Sequence, residues 1–172
     1  MGSEMCIRDR LDRIFGDLPS RDAGLYVVAQ VAGACLGTMV ANLMFDLPAV
    51  SVSTHERSSP ALWLSEVVAT LGLLLVIHGC VRSGRASAVP YAVGVWIGAA
   101  YWFTSSTSFA NPAATIGRTL SDTFAGIAPS SAPMFIAMQL VGVALVYPLI
   151  RVLYPAPDPN AANPATNPNG GR

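Results

Sequence analysis

The sequence has little charge and no lysine. Only 12% of its 172 residues are charged, compared with roughly 25% in an average soluble domain. All ten basic residues are arginines, and ten acids balance them to a net charge of zero. Because proteins that bind nucleic acid present a clustered basic surface, this composition excludes nucleic acid as an expected partner.

Side-chain sets that perform catalysis or hold metal ions are also missing. Cys6, Cys35 and Cys80 lack the spacing of metal ligands, and we assign no disulfide to them. His78 stands alone near the end of an apolar segment and is interpreted as an interfacial residue. Since no pair of acids, Ser/His/Asp set or Cys/His cluster is recognisable, we expect neither an enzyme nor a bound cofactor.

Long apolar segments dominate the sequence instead. Hydrophobic residues make up 52% of it, and the mean hydropathy is +0.49. A helix needs about 20 apolar residues to cross a bilayer, and four segments approach that length: 25–45, 61–81, 88 to about 103, and 133–153. We therefore predict an all-α membrane protein with about four transmembrane helices and the lipid bilayer as its surroundings.

The arginines alternate with these segments along the chain. Arg8, Arg10, Arg13 and Arg21 precede the first, Arg82 and Arg85 separate the second from the third, and Arg151 and Arg172 follow the fourth. The positive-inside rule places these three groups in the cytoplasm. Segments 46–60 and 121–133, with one arginine and none, then lie outside. We predict a multi-pass protein of the plasma (inner) membrane with a cytoplasmic C-terminus.

The two ends of the chain differ from its apolar middle. Residues 1–10, MGSEMCIRDR, contain neither the apolar core of a signal peptide nor a membrane span, and we interpret them as a non-native segment. Residues 155–172 are rich in proline, asparagine and alanine and are predicted to be disordered. Residues 11–154 remain as the folded domain.

The folded domain contains an internal repeat. Residues 15–33 align with 124–142 without a gap, at an offset of 109. The matched pairs include Tyr26 with Phe135, Gln30 with Gln139, and Gly33 with Gly142. In the predicted topology the two copies enter the membrane from opposite sides, which is typical of inverted repeats. At the same offset Asn111 falls on Gly2, so we expect a truncated product without the first half-helix and its preceding spans.

A polar stretch, SSTSFANPAATIGR, interrupts the apolar segments at residues 105–118. Asn111 is a good N-cap and Pro112 is favoured in the first turn of a helix, so a short helix is predicted from Ala113 to about Leu120. Irregular backbone before it is tolerated at membrane depth only where it is buried in protein or lines a wet cavity. The stretch therefore predicts a re-entrant half-helix rather than a surface loop.

These motifs together resemble the aquaporin, or major intrinsic protein, family. The resemblance rests on SEVVAT at 65–70, on FANPAATIGR at 109–118 and on the two Gln-x-x-Gly helices. It covers residues 11–154 and implies the last two thirds of such a channel, from the third to the sixth membrane helix. A second Asn-Pro-Ala at 163–165 is interpreted as an accident of the tail's composition.

The resemblance also implies roles for individual residues. Asn111, Pro112 and Ala113 would form the pore motif, in which the asparagine amide donates to a passing oxygen. The carbonyls of residues 105–110 would line the path. Glu66 would accept backbone N–H groups of the re-entrant stretch, and Thr70 of the same motif would also support that stretch. Channels of this family assemble as homotetramers, with one pore in each protomer.

One position departs from the family pattern. Water and glycerol channels usually carry arginine directly after Asn-Pro-Ala, where this sequence has Ala114. Arg118 lies two helical turns along and is not assigned that role. Carried over by spacing, the filter would consist of Ala99, Ser108 and Ala114, wide and without fixed charge. The missing arginine, together with NPAATI at 111–116 and SDTFAGIAP at 121–129, resembles a bacterial, arsenic-associated branch of the family.

The function implied is a passive channel for small uncharged solutes, plausibly including metalloid hydroxides such as arsenite. Water and glycerol are the alternative cargo. A second hypothesis from another class is a truncated, non-conducting membrane fragment of such a channel, because one half-helix alone would not close a path.

Overall fold

The computed structural model describes residues 20–153, all of them helical or irregular. The predictions made for residues 1–10 and 155–172 lie outside this range. The helices are α1 (Ser20–Met44), α2 (Pro60–Arg82), α3 (Val89–Phe103), α4 (Pro112–Arg118) and α5 (Ala132–Leu153), with a 3-10 turn at Ala86–Ala88. The predicted all-α fold is confirmed for the described part of the chain.

Three of the helices are long and apolar enough to cross a membrane. They are α1 over Gly24–Met44, α2 and α5. The fourth expected span, α3, has only 15 residues, which extend about 22 Å at 1.5 Å per residue. It ends at Phe103, and Thr104 adopts an extended backbone. The irregular polar stretch therefore begins before this helix is long enough to cross a membrane completely.

Local sequence explains where α2 begins. The hydroxyl of Ser59 accepts a hydrogen bond from the Leu62 N–H, and Pro60 occupies the first helical position. A serine cap followed by proline satisfies one N–H and removes another that would have no helical partner.

The connections before α2 and after α4 meet at one end of the bundle, which we call the loop end (residues 45–59 and 119–131). Backbone N–H groups of Ser51 and Ser53 donate to the carbonyls of Leu120 and Thr119, and the N–H of Ala128 donates to His55. The helix α1 therefore runs toward the loop end and α5 runs away from it. The repeat-related helices α1 and α5 thus have opposite directions.

Small residues allow the helices to approach closely. A Cβ on Gly142 of α5 would lie 3.0 Å from both Thr70 Cβ and the Val67 carbonyl oxygen of α2. A Cβ on Gly117 of α4 would lie 2.8 Å from the Ala34 carbonyl oxygen of α1. The first contact brings α5 close to α2, and the second brings the short helix α4 close to α1.

The outer faces of the bundle are apolar. Large side chains such as Val28 on α1 and Tyr91 and Trp102 on α3 are exposed. The buried cluster of Phe109, Ile127, Ala132 and Phe135 lies instead toward the loop end. Exposed apolar helix faces of this extent are expected where lipid or other membrane helices replace water.

Candidate functional site

The re-entrant segment (residues 105–110) has an unusual backbone. Thr107, Ser108 and Ala110 have φ values of +63°, +48° and +48°, in the left-handed region that residues other than glycine seldom occupy. Each such residue costs on the order of 1 kcal/mol and persists only when its surroundings impose it. The contacts of this segment must therefore hold it in place.

Asn111 joins the re-entrant segment to α4. Its backbone is extended, its Oδ1 accepts a hydrogen bond from the Ala113 N–H at 2.9 Å, and Pro112 is the first helical residue. The side chain is exposed, and among the described residues its Nδ2 group makes no hydrogen bond. The amide therefore has two N–H groups to offer at the positive end of a helix dipole.

Glu66 of α2 holds the re-entrant segment from behind. The carboxylate is completely buried. Its Oε1 accepts the Ser106 hydroxyl at 2.6 Å and the Phe109 N–H at 2.9 Å, and its Oε2 accepts the Ala110 N–H at 3.0 Å. The carboxylate thus accepts hydrogen bonds from backbone N–H groups that the irregular turn would otherwise leave unpaired.

Gln139 of α5 extends this network to a third helix. Its Nε2 donates to Glu66 Oε2 at 2.7 Å and to Thr115 Oγ1 at 2.9 Å. The Thr115 hydroxyl in turn donates to the carbonyl of Asn111 at 3.0 Å. Sequence reasoning identified Gln139 only as a repeat marker, and its position one turn before the tightly packed Gly142 was the available signal.

The predicted role of Thr70 in supporting the re-entrant segment stays a prediction. Thr70 is buried, but its Oγ1 has no hydrogen-bond partner in the described part of the chain. Its Cβ faces Gly142 instead. The contact observed for Thr70 is therefore close packing of α2 against α5.

The three predicted filter residues lie on three different elements. Ser108 is buried in the re-entrant segment, and its Oγ has no partner among the described residues. Ala114 is half-buried in the first turn of α4, and Ala99 is exposed on α3. None of them carries charge, and only Ser108 offers a hydroxyl.

Arg57, which sequence reasoning did not select, is buried against the re-entrant segment. Its Nε donates to the Gly126 carbonyl at 2.7 Å, Nη1 to Ser106 at 3.1 Å and Nη2 to Phe124 at 2.7 Å. The Ser106 carbonyl thus already accepts one hydrogen bond from Arg57, and the predicted role of the carbonyls of residues 105–110 in lining a path stays a prediction. The available signal was that Arg57 is the one base in segment 46–60.

A second arginine approaches the same segment. The guanidinium carbon of Arg118 lies 4.2 Å from the ring centre of Phe109, and that of Arg57 lies 5.2 Å from it. Arg118 is the last residue of α4, where a cation also complements the negative end of the helix dipole.

A cavity of about 440 Å³ opens at the loop end beside Arg118. Its lining is partly polar and includes Thr38, Asn42, Tyr101, Arg118, Ser121 and Thr123. Hydrogen bonds hold part of the cavity wall in place. Asn42 Nδ2 donates to the Leu120 carbonyl at 3.0 Å, and Asn42 Oδ1 accepts from the Ser121 hydroxyl at 2.6 Å.

Two exposed carboxylates at the loop end are fixed by local hydrogen bonds. The Thr54 N–H donates to Asp122 at 2.8 Å and holds the pKa of that carboxyl below its ordinary value. The hydroxyls of Ser131 and Ser130 do the same for the pKa of Glu56. Both groups tie one connection of the loop end to the other.

Comparison with known proteins gives one informative relative. The chain is 50% identical over 142 residues to aquaglyceroporin AqpS of Rhizobium meliloti (strain 1021), a match that covers 82% of this chain and 60% of the relative. The chain thus spans less than two thirds of that relative's length. No family model matches the chain, and no solved structure matches it significantly.

Proposed function

The chain belongs to the aquaporin, or major intrinsic protein, family, and from this premise we propose that it forms part of a passive membrane channel for small uncharged solutes. A transport channel, rather than an enzyme, agrees with the similarity to an aquaglyceroporin. The observation that carries the proposal is the re-entrant segment, which Glu66 holds and which ends at the exposed Asn111.

The geometry supports a path along this segment. Its irregular backbone is tolerated in a membrane only beside protein or a wet cavity, and the Asn111 amide offers N–H groups to a solute oxygen. With Ala99, Ser108 and Ala114 at the filter, the path is wide and adapted to solutes larger than water. Neutral hydroxylated compounds, including metalloid hydroxides such as arsenite, fit this chemistry.

The remaining proposals concern the setting of the channel. We place it in the plasma (inner) membrane, with the loop end outside and the C-terminus in the cytoplasm, because arginines are concentrated at the other end. We also propose a homotetramer for the full-length protein. The apolar outer faces of α1 and α3 provide surfaces for lipid and for neighbouring helices.

Solute entry into vesicles tests the proposal. Purified chain would be reconstituted alone and together with the part of the relative outside the 142 matched residues. Glycerol-driven swelling and arsenite uptake faster than in empty vesicles would support a channel. No acceleration with either preparation would contradict it, and acceleration with the second preparation alone would identify the isolated chain as a non-conducting fragment.

Ala114→Arg tests the filter assignment. An arginine in the first turn of α4 would narrow the path, so we expect glycerol and arsenite flux to fall about tenfold while water flux falls less. Val152→Arg is a matched control, because it adds the same side chain at an exposed position in the last turn of α5, away from the re-entrant segment. Equal effects of the two substitutions on glycerol flux would contradict the assignment of Ala114 to the filter.

A further inference from the structure

We propose that Arg57 and Arg118 together supply the positive charge beside the re-entrant segment that Ala114 does not, and that this charge excludes cations from the path. The inference rests on the proposed channel function. It replaces the expectation of a filter without fixed charge, because the charge comes from two other positions of the chain.

The hydrogen bonds of Arg57 fix its charge without neutralising it. All three of its side-chain hydrogen bonds go to backbone carbonyl oxygens, those of Ser106, Phe124 and Gly126. Carbonyl groups satisfy the guanidinium donors but carry no net charge, unlike a carboxylate in an ion pair. Arg57 is 6% exposed, so solvent screens it poorly.

Phe109 places both arginines next to the wall of the path. The guanidinium carbons of Arg118 and Arg57 lie 4.2 Å and 5.2 Å from the centre of the Phe109 ring. The backbone N–H of Phe109 donates a hydrogen bond to Glu66. A cation over an aromatic face is held in position and remains charged. The two guanidinium groups are therefore tied to the residue that follows Ser108, one of the proposed filter residues.

The surrounding acids cancel only part of this charge. Glu66 is the buried carboxylate on this segment, and its oxygens are occupied by the Ser106 hydroxyl, two backbone N–H groups and Gln139. Asp122 and Glu56 are exposed at the loop end and bind Thr54 and the serines 130 and 131. Two arginines against one buried carboxylate leave an excess of positive charge at the wall.

A flux-ratio experiment tests this assignment. The conducting preparation is reconstituted in vesicles, and potassium and proton conductance are measured beside glycerol entry for Arg57→Met, Arg118→Met and the double variant. We expect the ratio of cation to glycerol flux to rise severalfold in each single variant and about tenfold or more in the double variant. Arg57→Lys, which keeps the charge but not the three-carbonyl geometry, should stay close to the original ratio.

Two further variants separate charge from packing. Ala114→Arg added to the double variant should restore cation exclusion, which loss of a merely structural contact would not allow. Arg151→Met is the matched control, because Arg151 is exposed on α5 and packs on Tyr147 away from the re-entrant segment. It should leave the ratio unchanged.

The outcomes distinguish this inference from the proposed function. If the double variant conducts glycerol and its ratio of cation to glycerol flux equals that of the Arg151→Met control, the inference is overturned and the proposed channel function is not. If Arg57→Met fails to assemble, Arg118→Met and Arg57→Lys still test the inference. An unchanged ratio of cation to glycerol flux in Arg118→Met, or a tenfold rise of that ratio in Arg57→Lys, overturns the inference. No glycerol entry in the unsubstituted protein overturns both.

Discussion

Replacement of Glu66 gives the most direct measure of what holds the re-entrant segment. Glu66→Ala removes the acceptor of the Phe109 and Ala110 N–H groups, which stay buried while the Ser106 hydroxyl can rotate. Leaving a buried donor without an acceptor costs about 1–3 kcal/mol. With two such donors, the free energy of unfolding should fall by about 2–6 kcal/mol, and solute flux should be lost with the segment's geometry.

Glu66→Gln should cost about half as much. Its amide oxygen can take the place of Oε2 and keep the Ala110 N–H and Gln139 Nε2, while its NH2 group takes the place of Oε1. The Ser106 hydroxyl can rotate and accept from that NH2 group. Only the Phe109 N–H is then left without an acceptor, which costs about 1–3 kcal/mol.

Thermal and denaturant unfolding in detergent micelles would measure both variants. Thr70→Val is the matched control on the same helix, because the Thr70 hydroxyl is buried without a partner and its loss should change stability by less than about 0.5 kcal/mol. The reasoning is refuted if Glu66→Ala costs less than about 1 kcal/mol, or if Glu66→Gln costs as much as Glu66→Ala.

The other predictions concern the loop end. Gly126→Ala would place a methyl group 2.1 Å from the Ser121 carbonyl oxygen and 2.5 Å from Ser53 Oγ, so we expect a loss of about 1–3 kcal/mol in thermal unfolding. Gly98→Ala, which has open space around it, should cost nothing in the same assay. Because the lowered pKa of Asp122 stabilises the fold above about pH 4 and this stability is lost as the pH falls through the lowered pKa, Asp122→Asn should flatten the acid side of the melting-temperature profile. An unchanged profile would contradict a role for the Thr54 contact.

Local chemistry made part of this structure predictable. The helix α4 begins where Asn111 and Pro112 predict it to begin, because a cap and a first-turn proline act on neighbouring residues alone. It ends at Arg118 rather than near Leu120, and the carbonyls of Thr119 and Leu120 accept hydrogen bonds from Ser53 and Ser51. The start of this helix thus follows from local sequence, whereas the residues after its end pair with a distant segment.

The internal repeat and the motif around Glu66 gave information about contacts between distant parts of the chain. Matching residues at an offset of 109 indicated two related helices, and α1 and α5 do run in opposite directions relative to the loop end. Resemblance supplied the expectation that Glu66 accepts N–H groups of the re-entrant segment. The supporting role that it supplied for Thr70 stays a prediction, because a shared motif does not say whether a side chain bonds or packs.

Composition and short-range pattern, taken by themselves, determined that this protein is an apolar, all-α chain with a polar half-helix inside it, because hydropathy, caps and prolines act over one or two turns. Only the tertiary structure decided which groups hold the re-entrant segment. Arg57 reaches Ser106, Phe124 and Gly126 across 49, 67 and 69 residues of chain, and Gln139 reaches Glu66 across 73. Such partners depend on how separate helices pack, and no local rule relates an arginine in one connection to the carbonyl groups of two others.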